Sequence, residues 1–218
     1  GVVGASCAYA CTAAGLSVVV VDRGPVAGGT TGGGEGNILV SDKEPGPELE
    51  LALLSRQLWA DMAGALGDSF ELDPKGGLVV ASTDATLTHL RALAAQQRAM
   101  EVEAQEVAPA QLPEFESKIS PELAGGVFYP QDMQVQPMLA AARLIEAARA
   151  TGLASLRTGC TVTGVVTDPS GAITGVQTDL GVIPTRHVVN AAGTWGGGVI
   201  VLACTAAAAL RAVAGSER

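Results

Sequence analysis

Gly1-Val2-Val3-Gly4-Ala5-Ser6, followed by Ser17-Val18-Val19-Val20-Val21-Asp22, is the stretch that decides the fold. The first run holds two glycines in Gly-x-x-Gly spacing. Ala5–Ala14 then reads as an Ala-rich helix with small residues on one side, and Gly15 suits its C-terminal cap. Ser17–Val21 is a β-branched run expected to form a fully buried parallel strand. Asp22 stands at its end. This is the second half of a G-x-G-x-x-G fingerprint with its acidic residue at the right remove. The chemistry explains the pattern. One glycine lets backbone approach a pyrophosphate, and the next lets helix and strand pack closely. The helix N-terminus offers free N–H groups and a positive dipole end. Asp22 can accept hydrogen bonds from ribose hydroxyls. The segment is therefore read as a dinucleotide-binding unit that includes Gly1, Gly4 and Asp22.

Working outward, Gly28-Gly29-Thr30-Thr31-Gly32-Gly33-Gly34-Glu35-Gly36-Asn37 is read as a Gly/Thr loop. Its hydroxyls and glycines suit a second pass over a diphosphate and the close approach of a flat ring. Glu35 is expected to be a solvent-facing loop charge.

Composition narrows the classes. The chain has 218 residues, 48% hydrophobic and 16% charged, so it can bury a sizeable core. Its 28 glycines are not periodic. The net charge is −9 with no basic stripe, which disfavours nucleic acid and an anionic membrane surface as partners. Of the four cysteines, Cys7 and Cys11 lie one helical turn apart and read as buried small hydrophobes. Cys160 and Cys204 complete the set. No C-x-x-C pair or Cys/His cluster suggests a metal, and the usage fits a reducing, cytoplasmic setting. His89 is expected on a solvated helix face and His187 at the start of a strand, with no nucleophilic triad. Val199–Ala214 reads as a helix too short and Ala-rich to span a membrane.

Along the rest of the chain, Pro47–Leu66 reads as a helix with Leu49, Leu53, Leu54 and Leu58 among its apolar positions. Phe70–Leu72 and Gly77–Ala81 read as short strands. Thr83 caps a helix running to about Met100. Gly126–Tyr129 is a strand candidate. Pro137 opens a helix whose apolar face is Met138, Ala141, Ala142, Ile145 and Ala148. Thr161–Thr167 and Ala172–Thr178 flank a Pro169-Ser170-Gly171 turn as a hairpin. His187–Asn190 reads as a buried strand running into Ala191-Ala192-Gly193.

Four segments together resemble the D-amino-acid oxidase-like FAD oxidoreductases, the relatives of glycine oxidase, sarcosine oxidase and D-amino-acid dehydrogenase. They are Gly1–Ser6 with Val18–Gly24, the loop Gly29–Asn37, the stretch Gly126–Pro137 (GVFYPQDMQVQP), and Val188–Trp195 (VVNAAGTW). The resemblance implies an α/β fold: a Rossmann-like FAD-binding domain from residues 1–45 and 138–200, with an inserted antiparallel α+β substrate or cap domain at 46–137. Residues 201–218 stand apart as an Ala-rich tail. It implies FAD as cofactor and oxidation of the C–N bond of a small amino acid or amine.

The roles implied residue by residue are these. Gly1, Gly4, Asp22 and Arg23 would hold the adenosine and pyrophosphate. Thr30 and Thr31 would bond phosphate oxygens. Gly36 and Asn37 would lie near the flavin, and Val162 would meet the adenine through its backbone. Ala192 and Gly193 would pack on the cofactor. No catalytic residue is assigned. A non-catalytic FAD-binding fragment or subunit, and an NAD-dependent dehydrogenase on the same unit, are the alternative readings. The first strand and first glycine of the fingerprint are absent, and the likeness fades after Trp195. The fold is therefore expected to be incomplete, and the chain alone marginally stable and poor at holding FAD.

Overall fold

The computed structural model describes residues 1–67 and 69–197. The elements are, in order, α1 (Val2–Ala13), β1 (Val18–Asp22), α2 (Thr30–Gly33), β2 (Asn37–Ile38), α3 (Pro47–Leu66), β3 (Gly77–Ala81), α4 (Asp84–Arg98), β4 (Gln105–Val107), α5 (Leu112–Phe115), β5 (Gly125–Tyr129), β6 (Met133–Gln134), α6 (Pro137–Ala150), β7 (Ala154–Thr158), β8 (Val162–Thr167), β9 (Ile173–Thr178) and β10 (Gly181–Pro184). They form two compact units. One joins Gly1–Gly34 to the chain from Pro137 onward, and the other is Glu35–Gln136. The expected helix at Val199–Ala214, Cys204 and the 201–218 tail lie outside the described residues.

In the first unit, α1 starts at Val2, earlier than the Ala-rich run suggested. It ends in a paired reversal: Gly15 N–H donates to Thr12 O at 2.9 Å and Leu16 N–H to Cys11 O at 3.0 Å. Gly15 supplies the left-handed φ of +80° that this closure needs. Ala5, Ala8 and Thr12 form one buried stripe of α1, and the helix packs on α6. There the buried residues are Ala140, Ala141, Leu144, Ile145 and Ala148. The expected α6 face holds at Ala141, Ile145 and Ala148 but not at its two other positions: Met138 is 49% exposed and Ala142 is exposed. Alanine repeats at too many positions of this helix to fix which stripe is inward, and Leu144 settles it. Cys7 and Cys11 are half-buried rather than buried.

β1 pairs in parallel with β7, from Val18↔Ala154 to Asp22↔Thr158. It is not fully buried as expected. β7 is its only ladder partner among the described residues, and Val19 is 41% exposed. A strand in a two-stranded parallel sheet keeps one open edge, so β-branched composition alone does not secure burial on both faces. β8, β9 and β10 form an antiparallel meander. The Asp168 carboxylate closes its first turn. The Ser170 hydroxyl, then the Ala172 and Ser170 N–H groups, hold that carboxyl below the usual carboxylate range.

The expected buried strand at His187–Asn190 is not present. The segment has no ladder partner among the described residues, and Val188 and Val189 are 38% and 65% exposed. Just before it, Thr185 Oγ1 bonds the His187 backbone and shapes a turn instead.

The second unit has a sheet in the order β3-β5-β4, antiparallel throughout. Its core gathers Val40, Leu49, Leu90, Ala94, Val102, Ala104, Val127 and Tyr129. Pro47 sits in the first turn of α3, where its missing N–H costs no helical bond. Thr83 Oγ1 accepts the Thr86 N–H at 3.2 Å, so α4 is capped as expected. Leu49 is buried, but Leu54 and Leu58 join Leu51 in an exposed stripe on α3. Phe70–Leu72 is not a strand, because Glu71 takes a left-handed φ of +55° that breaks an extended run. Phe70 is instead buried edge-on to Trp59, with ring centroids 5.6 Å apart.

A buried polar hub holds the segment Val40–Lys43. Asp132 Oδ1 accepts the N–H groups of Val40 at 2.8 Å and Ser41 at 3.3 Å. Gln97 Nε2 donates to Lys43 O at 2.7 Å and lies 3.3 Å from both Val40 O and Ser41 O. Tyr129 Oη donates to Gln97 Oε1 at 2.8 Å. Side chains thus do here what a sheet ladder does elsewhere: they satisfy backbone groups that have no water.

Candidate dinucleotide site

The fingerprint residues meet in the first unit. At the start of α1 some backbone N–H groups find partners and others do not. Ala5 N–H bonds Gly1 O at 3.1 Å, and Val2 N–H donates to Thr31 Oγ1 at 2.9 Å. Val3 and Gly4 N–H have no partner among the described residues, as a helix N-terminus leaves them. A helix start of this kind attracts anions through both the free N–H groups and the dipole.

As the backbone stands, Gly1 and Gly32 have no room for a Cβ, while one on Gly4 would make an ordinary contact. A Cβ on Gly1 would stand 2.9 Å from Thr31 Oγ1, and one on Gly4 would stand 3.4 Å from the Ala191 Cβ. A Cβ on Gly32 would collide with the Ala27 carbonyl. Here the glycines let Thr31, Ala191 and Ala27 come close to them.

Asp22 sits at the C-terminal end of β1. Its Oδ1 accepts the Gly24 N–H at 2.9 Å, and its Oδ2 lies 3.8 Å from the Gly1 nitrogen. One carboxylate oxygen therefore fixes the turn while the other faces the start of α1. Thr31 is half-buried on α2, and its hydroxyl proton is free to be donated while its oxygen accepts from Val2. Thr30 is exposed on the same short helix.

Arg23 stacks on Trp195, its guanidinium carbon 4.4 Å from the ring centroid. Trp195 closes a short 3-10 turn from Gly193, just after Ala192. Val162 opens β8, and Cys160 N–H, two residues before it, bonds Asp22 O at 3.1 Å. Gly1, Gly4, Asp22, Arg23, Thr30, Thr31, Val162, Ala192 and Gly193 all belong to this unit.

Gly36 and Asn37 belong to the other unit. Gly36 has a φ of +76°, and Asn37 pairs with Gln134 in the β2–β6 ladder. The Asn37 amide donates to Glu35 Oε2 at 3.0 Å, and Glu35 is exposed, as a loop charge should be. The sequence assigns Trp195 no role beyond ending the Val188–Trp195 segment. The signal for it was a cation directly after the acidic strand end, a natural partner for an exposed indole.

Comparison with protein families matches residues 1–215 to the family described as FAD dependent oxidoreductase. The chain belongs to this family. Its fold agrees with that of glycine oxidase from Geobacillus kaustophilus, with a TM-score of 0.85 and 25% identity over 93% of this chain and 55% of that one. In sequence it is 31% identical over 183 residues to mouse (Mus musculus) mitochondrial sarcosine dehydrogenase, covering 81% of this chain and 20% of the relative. It is 26% identical over 197 residues to the mouse mitochondrial pyruvate dehydrogenase phosphatase regulatory subunit, covering 89% of this chain and 22% of that protein.

The chain thus spans about half the length of the solved relative and about a fifth of these curated relatives. The α/β fold and FAD as the family's cofactor stand on these matches. No helix among the described residues is long and apolar enough to cross a membrane.

Proposed function

We propose that this chain supplies the dinucleotide-binding part of an FAD enzyme that oxidises the C–N bond of a small amino acid or amine. The observation that carries the reading is the start of α1. Two free N–H groups, at Val3 and Gly4, stand in a glycine cradle beside the Asp22 carboxylate. The free N–H groups, the positive end of the helix dipole and the neighbouring Thr31 hydroxyl are donors that fit a bound diphosphate.

In this reading Val3 and Gly4 N–H bind the diphosphate, and the Thr31 hydroxyl donates to one of its oxygens. Asp22 Oδ2 accepts from the adenosine ribose. Arg23 adds positive charge at the same edge. Val162 offers backbone groups to the adenine, and Ala192 and Gly193 give the cofactor a small-residue surface. Gly36 and Asn37 are the candidates for the flavin end, on the resemblance alone. Held by these residues, FAD would supply the hydride acceptor for oxidising a C–N bond. The group that would clamp a substrate carboxylate is not assigned to this chain.

A second reading is favoured by one relative. The chain's similarity to a phosphatase regulatory subunit supports a member that holds FAD without turning over an amine. One experiment separates the two. The chain, carried within a protein of its solved relative's full length, is loaded with FAD, its flavin absorption band recorded, and glycine or sarcosine added without oxygen. Bleaching of the band is expected for the oxidising reading. A stable band with any small amine supports the regulatory one, and no band at all contradicts both.

A further inference from the structure

The contacts around the start of α1 close into a ring. Val2 N–H donates to Thr31 Oγ1 at 2.9 Å. Thr31 lies on α2, whose N-terminal cap is Gly29. A Cβ on Gly29 would stand 3.6 Å from the Trp195 indole. The Arg23 guanidinium lies over that indole at 4.4 Å. Arg23 adjoins Asp22, whose Oδ2 is 3.8 Å from the Gly1 nitrogen, and this returns the path to α1. The free Val3 and Gly4 N–H groups belong to the helical turn where the ring begins and ends.

The Arg23–Trp195 stack is the link of this ring made by two exposed side chains, Trp195 being 52% exposed. Trp195 is nonetheless held in place. Its N–H bonds Ala192 O at 3.2 Å. Asn190 braces the same turn, accepting the Ala192 N–H at 3.2 Å and donating to Gly196 O at 2.9 Å. A guanidinium that stacks by its face keeps its N–H edge free for an anion.

We propose that Trp195 is a positioning residue for FAD. It fixes Arg23 so that the guanidinium edge meets the diphosphate. This inference rests on the dinucleotide reading of the site. It adds a residue and a role, and it makes Trp195 a reporter of occupancy.

The test uses the full 218-residue chain with Trp59→Phe, so that the emission comes from Trp195, the other of the two tryptophans. ADP is the first probe, because it does not absorb where tryptophan is excited. Trp195 emission is expected to change on adding ADP, to saturate, and to be competed by FAD. FAD affinity is then measured for Trp195→Phe, Trp195→Leu, Arg23→Lys, Arg23→Gln and the Trp195→Leu/Arg23→Gln pair, each checked by melting.

Trp195→Leu and Arg23→Gln are each expected to weaken FAD about three- to fivefold; Trp195→Phe recovers most of the loss, while Arg23→Lys recovers little, because an ammonium has no planar face to stack. The pair is expected to bind no worse than Arg23→Gln alone, because Trp195 acts through Arg23. If Trp195→Leu does not fold, the Trp195→Phe and Arg23 variants decide by the same criteria. A parent that binds FAD while the Trp195 variants bind it equally well, or a pair whose losses simply add, overturns the positioning role and leaves the cofactor reading intact. A parent that binds neither ADP nor FAD removes the cofactor reading itself, and the role with it.

Discussion

The two units treat their backbone polar groups in opposite ways. In Glu35–Gln136, the Val40–Lys43 segment runs without a sheet partner. The protein buries Asp132 (1% exposed) and Gln97 (0% exposed) to satisfy it. At the start of α1, in the other unit, two N–H groups remain open and the neighbouring positions are glycine. Both arrangements are local departures from regular structure, but they serve different ends. The hub makes a frame, because breaking it leaves buried backbone donors uncompensated, although Asp132 Oδ2 is itself buried without a partner. Open donors with no side chain over them leave room for a ligand to complete them. The contrast also orders what substitutions should do: changes at the hub act on folding, and changes at the cradle act on binding.

The largest effect is expected at Asp132. Asp132→Ala strips the acceptor from two buried N–H groups and should cost about 3 kcal/mol of stability. A urea denaturation midpoint that stays put would show that water replaces the carboxylate and that the hub is no frame. Next comes Asp22→Ala, which should leave the melting point nearly unchanged and weaken FAD by about 1.5–3 kcal/mol, the worth of hydrogen bonds to a charged acceptor. If this variant retains FAD as the parent does in a flavin titration, Asp22 is only a turn residue bonding Gly24.

Tyr129→Phe is a smaller probe of the frame. It removes the bond to Gln97 Oε1 and should cost about 1 kcal/mol. It also carries a pH signature. Burial, and then the Asp132 charge, raise the Tyr129 hydroxyl above its ordinary value of 10.0. Its folded pKa thus exceeds the unfolded one. The stability it contributes is complete below about pH 10 and is lost as pH rises through the folded value. The parent should therefore lose stability above pH 10 more steeply than Tyr129→Phe. Parallel pH profiles would mean that the phenol is not isolated from water.

The parts of this architecture that depend on neighbours in sequence were legible beforehand. Pro47 and Pro137 mark helix starts, Thr83 caps α4, and Gly15 closes α1, because each acts within one turn of chain. The cradle was legible for the same reason: Gly1, Gly4 and Asp22 are tied by a single helix and strand. What depends on distant partners was not. β7, the partner of β1, lies far along the chain in Ala154–Thr158, a run with no strong strand composition. Val188 and Val189 look like a buried strand by composition, yet no described strand pairs with them. Asp132 stands in the sequence only as one acid within the Gly126–Pro137 stretch. Its role depends on Val40 and Ser41, some 90 positions away, which no local pattern encodes.

The central claim is that the open N–H groups of α1 receive the cofactor's diphosphate. Hydrogen exchange at the Val3 and Gly4 amides, read residue by residue with and without saturating FAD, tests it most directly. Both amides are expected to be protected by FAD, while the buried Val40 and Ser41 amides, already bonded to Asp132, should change little. FAD binding with no protection at Val3 and Gly4 would contradict the account and place the dinucleotide elsewhere.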